Sequence, residues 1–269
     1  MRVKALIKLF TPPFILLLFH KIRGENIQFF GPFFSWEKAA QNSFGYDSPQ
    51  ILEKVKTAAL AVKNGKAAYE RDSVTFDNIE YSWPILACLL YIANVNDGHL
   101  NVIDFGGALG SSFFQNRKFF QKLKSLSWNI VEQSQFVACG KECFQTDQLR
   151  FFDTVEEANQ TVNADVLLIS NVLQYLEKPT DILKTIGKMS PRFALIEMVP
   201  IGRAASANIF VQEVPKSIYP ASYPCWIFNE DIIHAAMRES GYICTEEWVC
   251  HLQISNKFIY KGYFYHKTA

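Results

Sequence analysis

The sequence of 269 residues predicts an α/β fold, a mostly parallel sheet with helices on both faces and a helical extension at its N-terminus. Two observations predict this fold. Apolar runs typical of strands alternate with segments whose apolar residues recur at helical spacing. One run, ADVLLIS at 164–170, is apolar almost throughout, as in strands buried on both faces of a parallel sheet. Such alternation places helices on both faces.

The elements follow one another in a regular order. A helix starts at Pro49 and ends at Gly65, and the segment 82–94 predicts a second, more buried helix that leads into the strand LNVIDF. The next elements are a helix over 112–125, a strand over 128–132, a helix around 136–144, a strand over 149–153, the strand over 164–170, a helix from Thr180 and a strand over 192–199. Two closing strands, over 242–249 and 258–266, are expected to be antiparallel.

The chain divides into a basic amphipathic segment 1–24, a helical cap 25–98 and a ligand-binding core 99–269. The first segment carries five lysines and arginines and no acid. Its apolar run is too short to span a bilayer, and no small-residue cleavage site follows it, as a secretory signal would need. Two interpretations stay open: an anchor on the anionic inner face of a membrane, or a helix packed on its own domain.

Composition excludes some classes of function. A net charge of +1 argues against a nucleic-acid-binding protein, which would be strongly basic. The six cysteines form no CxxC pair, so they indicate buried thiols in a reducing compartment and a cytoplasmic protein. Cys139 and Cys143 lie four residues apart, but a metal site would need two more ligands, and no metal is expected.

A glycine-rich turn follows the first strand of the predicted core. Asp104 lies near the end of that strand, and Gly106, Gly107 and Gly110 follow it in the stretch NVIDFGGALG. In parallel α/β sheets ligands bind beyond the carboxyl ends of the strands, where a glycine turn lets the backbone approach the ligand. The spacing D-x-G-x-x-x-G differs from the GxGxxG of a dinucleotide-binding turn.

The acids around this turn indicate the charge of the ligand. A carboxylate at Asp104 would repel a pyrophosphate, whereas it suits a ligand that carries an ammonium and a sulfonium group. Glu132 ends the next strand, where an acid can accept hydrogen bonds from ribose hydroxyls. Two acids at successive strand ends therefore favour S-adenosylmethionine over NAD.

Several stretches resemble the class I S-adenosylmethionine-dependent methyltransferases. They are VIDFGGALG, NIVEQ and ADVLLISNVLQYLEKP. The similarity is closer to one group of methyltransferases often encoded among cell-surface polysaccharide genes, and it is carried by YERDSVTFDNIEYSWP, FGGALGSSFFQNRKF, SNVLQYLE and IYPASYPCWIF, from about residue 30 to about 265. Ala108 departs from the pattern, since many methyltransferases have glycine there.

The resemblance implies a Rossmann-like seven-stranded sheet and S-adenosylmethionine as the methyl donor, while the acceptor is unassigned in the group. The residues that it implies for the cofactor are Asp104, Gly106, Gly107, Gly110, Glu132, Asp153 and Asn171. Methyl transfer from a sulfonium needs no metal, but a hydroxyl acceptor must lose its proton. Tyr175 and Glu197 lie at the expected edge of the sheet and are the candidates for this step, unless Tyr175 only packs its ring and Glu197 pairs with a lysine.

An aromatic-rich segment of about 25 residues between the fifth strand and the next helix predicts a functional loop. Its candidates for binding the acceptor are Tyr219, Tyr223 and Trp226, and the alternative is that these rings pack on the core. Glu70 and Arg71, which precede the core, are candidates for a polar lid over the site, or else they form a solvated helix end.

Three functions fit these patterns. The first is a methyltransferase that O-methylates a saccharide or another small acceptor in surface polysaccharide biosynthesis. The second is a nicotinamide-dependent oxidoreductase or epimerase on a related fold, against which the leading Asp104 and the missing GxGxxG argue. The third is a non-catalytic scaffold held at a membrane by residues 1–24.

Overall fold

The computed structural model describes residues 27–44, 49–71, 73–214, 221–251, 253–255 and 257–268. The predictions for residues 1–24 and for Tyr219 fall outside these ranges. In chain order the elements are β1 (Gln28–Phe33), α1 (Trp36–Gln41), α2 (Pro49–Lys63), β2 (Tyr69–Arg71), β3 (Val74–Phe76), α3 (Trp83–Val95), β4 (His99–Phe105), α4 (Ser111–Asn116), β5 (Ser125–Val131), α5 (Ser134–Cys143), β6 (Leu149–Phe152), α6 (Val155–Thr161), β7 (Val166–Ser170), α7 (Pro179–Met189), β8 (Phe193–Ile201), β9 (Asn208–Glu213), β10 (Ser222–Ile227), α8 (Glu230–Glu239), β11 (Tyr242–Val249) and β12 (Ile259–Lys267).

The main sheet has seven strands in the order β11-β12-β8-β7-β4-β5-β6. The strands β8, β7, β4, β5 and β6 pair in parallel, whereas β12 is antiparallel to both of its neighbours. The edge strand β11 therefore runs in the same direction as the parallel strands. A mostly parallel seven-stranded sheet is confirmed.

The core lies on both faces of this sheet, because successive side chains of a strand point to opposite faces. On β4, Val102 packs in a cluster with residues of α2, α3 and α5, and the next residue, Ile103, packs in a second cluster with residues of α6, α7 and α8. The helices on both faces are confirmed. None of the described helices is long and apolar enough to cross a membrane.

A second sheet has the order β1-β9-β10, and β9 pairs antiparallel with both neighbours. The prediction of one long aromatic loop is therefore wrong, because β9 and β10 occupy much of that segment. The prolines of the segment suggested a loop, but β10 is an edge strand of this sheet, where a residue without an N–H such as Pro224 is tolerated. Residues 25–98 also hold strands, β1, β2 and β3, besides helices.

The predicted helix over 112–125 is too long. Helix α4 ends at Asn116, a 3₁₀ turn follows at Arg117–Phe119, and β5 already begins at Ser125, opposite His99 of β4. The apolar residues of this segment lie at helical spacing, but the chain must return to the start of the sheet within a few residues. Tertiary pairing of β5 with β4 overrides the local pattern.

Candidate functional site at the carboxyl edge of the sheet

The glycine turn after β4 holds its backbone in a conformation that favours glycine. Gly106 has φ +73°, and a Cβ there would lie 2.3 Å from Cγ2 of Val172. Its N–H donates to the carbonyl of Val131, 2.9 Å away, at the end of β5. Ala108 and Gly110 also have positive φ, +49° and +103°. The turn therefore brings together the carboxyl ends of β4 and β5 and the segment after β7.

Asp104 lies against this turn. Its carboxyl group is 1% exposed and accepts a hydrogen bond from Nε1 of Trp128 at 2.9 Å. A Cβ on Gly107 would lie 2.6 Å from Oδ2 of Asp104, so only glycine fits there. Burial raises the pKa of Asp104 to about 7, the bond from Trp128 opposes this shift, and the nearby charge of Glu132 adds to it. The geometry supports a role in shaping the turn, and direct contact with the ligand stays a prediction.

Asp104 is expected to make the protein less stable as the pH rises. Because its folded pKa of about 7 is above the ordinary value of 3.8, its contribution is complete below that ordinary value and is lost as the pH rises through about 7. Urea unfolding at about pH 5 and about pH 8 should show a larger loss of stability in the wild type than in Asp104→Asn. Exposed Asp147→Asn is the control and should behave as the wild type. The same pH dependence in all three proteins would show that Asp104 does not have a raised pKa in the folded protein.

Glu132 follows β5 and lies next to the turn. Its Oε2 accepts the N–H of Gln133 at 2.7 Å, and its carboxylate also accepts the backbone N–H of Ala108. Burial raises its pKa, and these two hydrogen bonds oppose the shift. The second acid thus lies next to the glycine turn, and its contact with the ribose hydroxyls of a ligand stays a prediction.

Asn171 faces the turn from the end of β7. It has φ +57°, and its N–H donates to the carbonyl of Glu197 at 3.0 Å. Its Oδ1 accepts a hydrogen bond from Nε2 of Gln174 at 2.8 Å, and Gln174 is fully buried. The next residue, Val172, is the one that contacts Gly106. A second predicted cofactor residue, Asp153, is exposed just after β6.

Glu197 is buried on β8 and is 7% exposed. Its carboxylate accepts hydrogen bonds from Oγ of Ser82, Oγ of Ser170 and Nε1 of Trp248, the last two at 3.4 Å. Burial raises its pKa, and these bonds oppose the shift. No ion pair joins Glu197 to another described residue, so the alternative of a lysine partner has no support.

Tyr175 links the end of β7 to the smaller sheet. Its hydroxyl donates to Oε1 of Gln212 at 3.1 Å, and Nε2 of Gln212 donates to the hydroxyl of Tyr223 at 3.3 Å. The two tyrosine rings meet edge to face, with centroids 5.0 Å apart. Gln212 is buried and joins both predicted residues. Sequence patterns do not indicate this residue, because they predict a loop where the structure has β9.

Trp226 is packed on both of its sides. Its Nε1 donates to the carbonyl of Leu176 at 3.0 Å, and its ring stacks on Trp36 and Phe228 with centroids 6.0 and 6.4 Å away. Because its polar atom already has a backbone partner, the geometry favours packing over contact with an acceptor.

Trp226→Ala is expected to lower the free energy of unfolding by about 2–4 kcal/mol, because it leaves a cavity between Trp36 and Phe228 and an unpaired carbonyl at Leu176. Urea unfolding measures this loss. Trp83→Ala is the matched control, since the side chain of Trp83 is 61% exposed and its removal should cost little. Equal stability of the two variants, with acceptor kinetics changed only in Trp226→Ala, would instead establish a substrate contact.

The β2–β3 hairpin covers the start of α4. Glu70 is buried and accepts a hydrogen bond from Oγ of Ser111, the first residue of α4. Arg71 instead pairs with Glu80 at 2.9 Å near the surface. The two predicted lid residues therefore lie in different places: Glu70 lies next to the glycine turn, and Arg71 lies near the protein surface.

An ionic cluster that the sequence did not predict lies between α8 and β11. Ligand atoms of Glu230, His234 and Glu247 lie within 4.8 Å of one another. The ammonium of Lys261 contacts both glutamates, at 2.5 and 3.2 Å, and so occupies the place of a cation between them. The spacing of Glu230 and His234, one helical turn apart, was the only signal in the sequence.

Comparison with known proteins identifies the fold. No protein-family model matches the chain, and no curated protein matches its sequence. The N-terminal domain of EvdMO1, solved in the presence of SAH and D-fucose, matches with a TM-score of 0.50 at 10% identity, covering 81% of this chain and 97% of that one. Magnesium protoporphyrin IX methyltransferase (ChlM) from Synechocystis PCC 6803 with bound SAH matches with 0.47 at 11% identity over 69% and 81% of the two chains. A S-adenosylmethionine-dependent methyltransferase from Clostridium acetobutylicum ATCC 824 matches with 0.48 at 8% identity over 80% and 98%. The seven-stranded sheet and the match to EvdMO1 show that the chain has the Rossmann-like methyltransferase fold.

Proposed function

We propose that the protein is a S-adenosylmethionine-dependent methyltransferase. One observation carries the proposal: Glu132 directly follows Val131, whose carbonyl accepts the N–H of Gly106 at 2.9 Å, so the acid lies beside the glycine turn at the carboxyl edge of the sheet, where ligands of such sheets bind. The fold neighbour EvdMO1 was solved in the presence of SAH, the product form of this donor, which supports the same ligand here.

The residues present fit such a donor. Gly106 and Gly107 leave no room for a side chain between the turn and Val172 or Asp104, so the turn packs closely against both residues. In this proposal the backbone of the turn would meet the ligand. Glu132 would accept hydrogen bonds from the ribose hydroxyls. Asp153 after β6 and Asn171 after β7 border the same edge of the sheet and would complete the donor site.

The bound donor supplies a methyl group on a sulfonium. The protein contributes orientation and the exclusion of water, which bring the acceptor in line with that methyl group. For a hydroxyl acceptor, Glu197 would hold the released proton, because its carboxylate is fixed by three hydrogen bonds at the same edge. Tyr175, fixed by Gln212, is the alternative proton carrier.

The acceptor in this proposal is a saccharide or another small molecule of surface polysaccharide biosynthesis. Tyr175 lies in the segment after β7 and its ring contacts that of Tyr223, which offers aromatic surface for a sugar, and EvdMO1 was solved in the presence of D-fucose, a sugar. Tyr219, Glu70 and Arg71 are the further predicted acceptor contacts, whereas the packing of Trp226 against Trp36 and Phe228 argues against the contact that the sequence predicts for it. We also propose a cytoplasmic enzyme whose residues 1–24 touch the anionic inner face of the membrane.

Calorimetry with S-adenosylmethionine, SAH and NAD tests the proposal. Binding of the first two ligands and none of NAD is the expected result. Binding of NAD alone would replace it with a nicotinamide-dependent oxidoreductase or epimerase. Transfer of a labelled methyl group to sugar acceptors then separates an enzyme from a scaffold that binds the donor without turnover.

A further inference from the structure

Helix α3 leaves an apolar stripe in contact with solvent. Its 13 residues include no charged side chain, and Trp83, Ala87 and Tyr91 are exposed at i, i+4 and i+8. Trp83 is 61% and Tyr91 50% exposed. A surface helix of a globular protein normally turns charged or polar residues outwards, so this stripe is unusual.

A basic surface adjoins the stripe. The segment 111–131 holds no acid, and its cations are all exposed: Arg117, Lys118, Lys122 and Lys124. The ammonium of Lys118 lies 4.7 Å from the ring centroid of Tyr81 and 4.8 Å from that of Phe119. Both rings contact Trp83, with centroids 5.0 and 6.1 Å away. Lys118 therefore joins the apolar stripe of α3 to the basic segment 117–124, and we call this stripe together with Arg117, Lys118, Lys122 and Lys124 the α3 face.

The acids at the border of the α3 face are too few to neutralise its positive charge. Glu80 lies beside Tyr81 in sequence, but its carboxylate is paired with Arg71 at 2.9 Å. Asp97 is exposed near the far end, where Gly98 contacts Lys124. Glu246, also exposed, lies opposite Phe264 on the neighbouring strand, and the ring of Phe264 contacts that of Tyr91. Within the described residues, Asp97 and Glu246 thus stand against four cations at this surface.

The chemistry of the α3 face selects one occupant. A two-fold interface between copies of this chain would bury the α3 face against a second α3 face with the same excess of positive charge, which is unfavourable. An anionic bilayer surface instead matches the cations, and tryptophan and tyrosine are enriched at the boundary between lipid and water. We infer that the α3 face docks the protein on an anionic membrane surface.

This surface consists of described residues, and none of them belongs to the segment 1–24. Stable peripheral binding takes two signals, because a single short anchor is only marginal. The α3 face supplies one signal whether or not residues 1–24 supply another, and the inference does not depend on the proposed methyltransferase activity.

Co-sedimentation of the full chain with vesicles tests the inference. Binding to mixed phosphatidylcholine–phosphatidylglycerol vesicles should weaken about fivefold for each cation removed in Lys118→Gln and Lys122→Gln. The matched control is the pair Lys184→Gln and Lys188→Gln on α7, exposed on the opposite face of the sheet, which should bind as the wild type. Equal losses in the two double variants, or no loss in the first, would overturn the inference.

Trp83→Ala distinguishes lipid from other anionic partners. It should weaken binding to the mixed vesicles, leave retention on heparin unchanged and leave the melting temperature unchanged, because the side chain is exposed. A loss on heparin equal to the loss on vesicles would mean that the surface recognises a soluble polyanion and would overturn the assignment to lipid. A dimer in sedimentation velocity that Trp83→Ala dissociates would overturn it in favour of self-association.

Discussion

Gly106→Ala is expected to abolish binding of the methyl donor and to lower the free energy of unfolding by about 2–5 kcal/mol. The alanine would have to adopt φ +73°, and its Cβ would lie 2.3 Å from Cγ2 and 3.0 Å from Cβ of Val172. Because Val172 follows Asn171, relief of this clash would move the segment after β7 away from the turn. Calorimetry with SAH and urea unfolding measure the two effects.

Gly65→Ala is the control that separates the cost of a left-handed backbone conformation from the cost of the clash with Val172. Gly65 has nearly the same φ, +71°, but no atom lies within 4 Å of its added Cβ. The free energy of unfolding of Gly65→Ala should fall by about 1 kcal/mol because of the backbone conformation alone, and its donor affinity should not change. If Gly106→Ala lost no more stability than Gly65→Ala and still bound SAH, the contact between the turn and Val172 would matter neither for stability nor for donor binding.

Glu132→Ala should weaken donor binding by at least tenfold, since each hydrogen bond lost to a buried ribose hydroxyl costs about 1–3 kcal/mol. The measurement is calorimetry with SAH. The control is Glu142→Ala, an exposed acid on α5. Unchanged affinity in a folded Glu132→Ala protein would remove Glu132 from the donor site and with it the main support for the proposed function.

Glu132→Gln shows whether the effect is direct. The amide oxygen can still accept the N–H of Ala108 or Gln133, so the turn should keep its shape and the melting temperature should fall little. Donor affinity should remain reduced, because one oxygen cannot hold the backbone and two ribose hydroxyls. Full recovery of affinity would show that Glu132 acts only through the shape of the turn.

Most of the main sheet was predictable from local patterns. Strands buried on both faces, such as 164–170, read as continuous apolar runs, and helices such as α2 carry a proline at the start and a glycine just past the end. The acids at strand ends also follow from the sequence, because the end of an apolar run marks the carboxyl edge. Asp104 and Glu132 are close in space for this reason.

The smaller sheet was not predictable in the same way. In β9 and β10, Gln212 and Pro224 interrupt patterns that would otherwise indicate strands, and these strands exist because β9 pairs with β1, far away in the chain. Helix α4 is short because β5 must pair with β4. Pairing between distant segments decides both cases, and no local window contains that information.

The sequence by itself determined the order of strands and helices in the main sheet, the glycine turn and the two acids that end successive strands. Only the tertiary structure decided what each side chain meets: Asp104 meets Trp128, 24 residues away, Glu70 meets Ser111, 41 residues away, and Trp226 meets Leu176, 50 residues away. The physical reason is that periodicity and turn chemistry act within a few residues. Burial and hydrogen-bond partners arise only when distant segments pack, and they separate an acid that shapes a turn from one that is placed to bind a ligand.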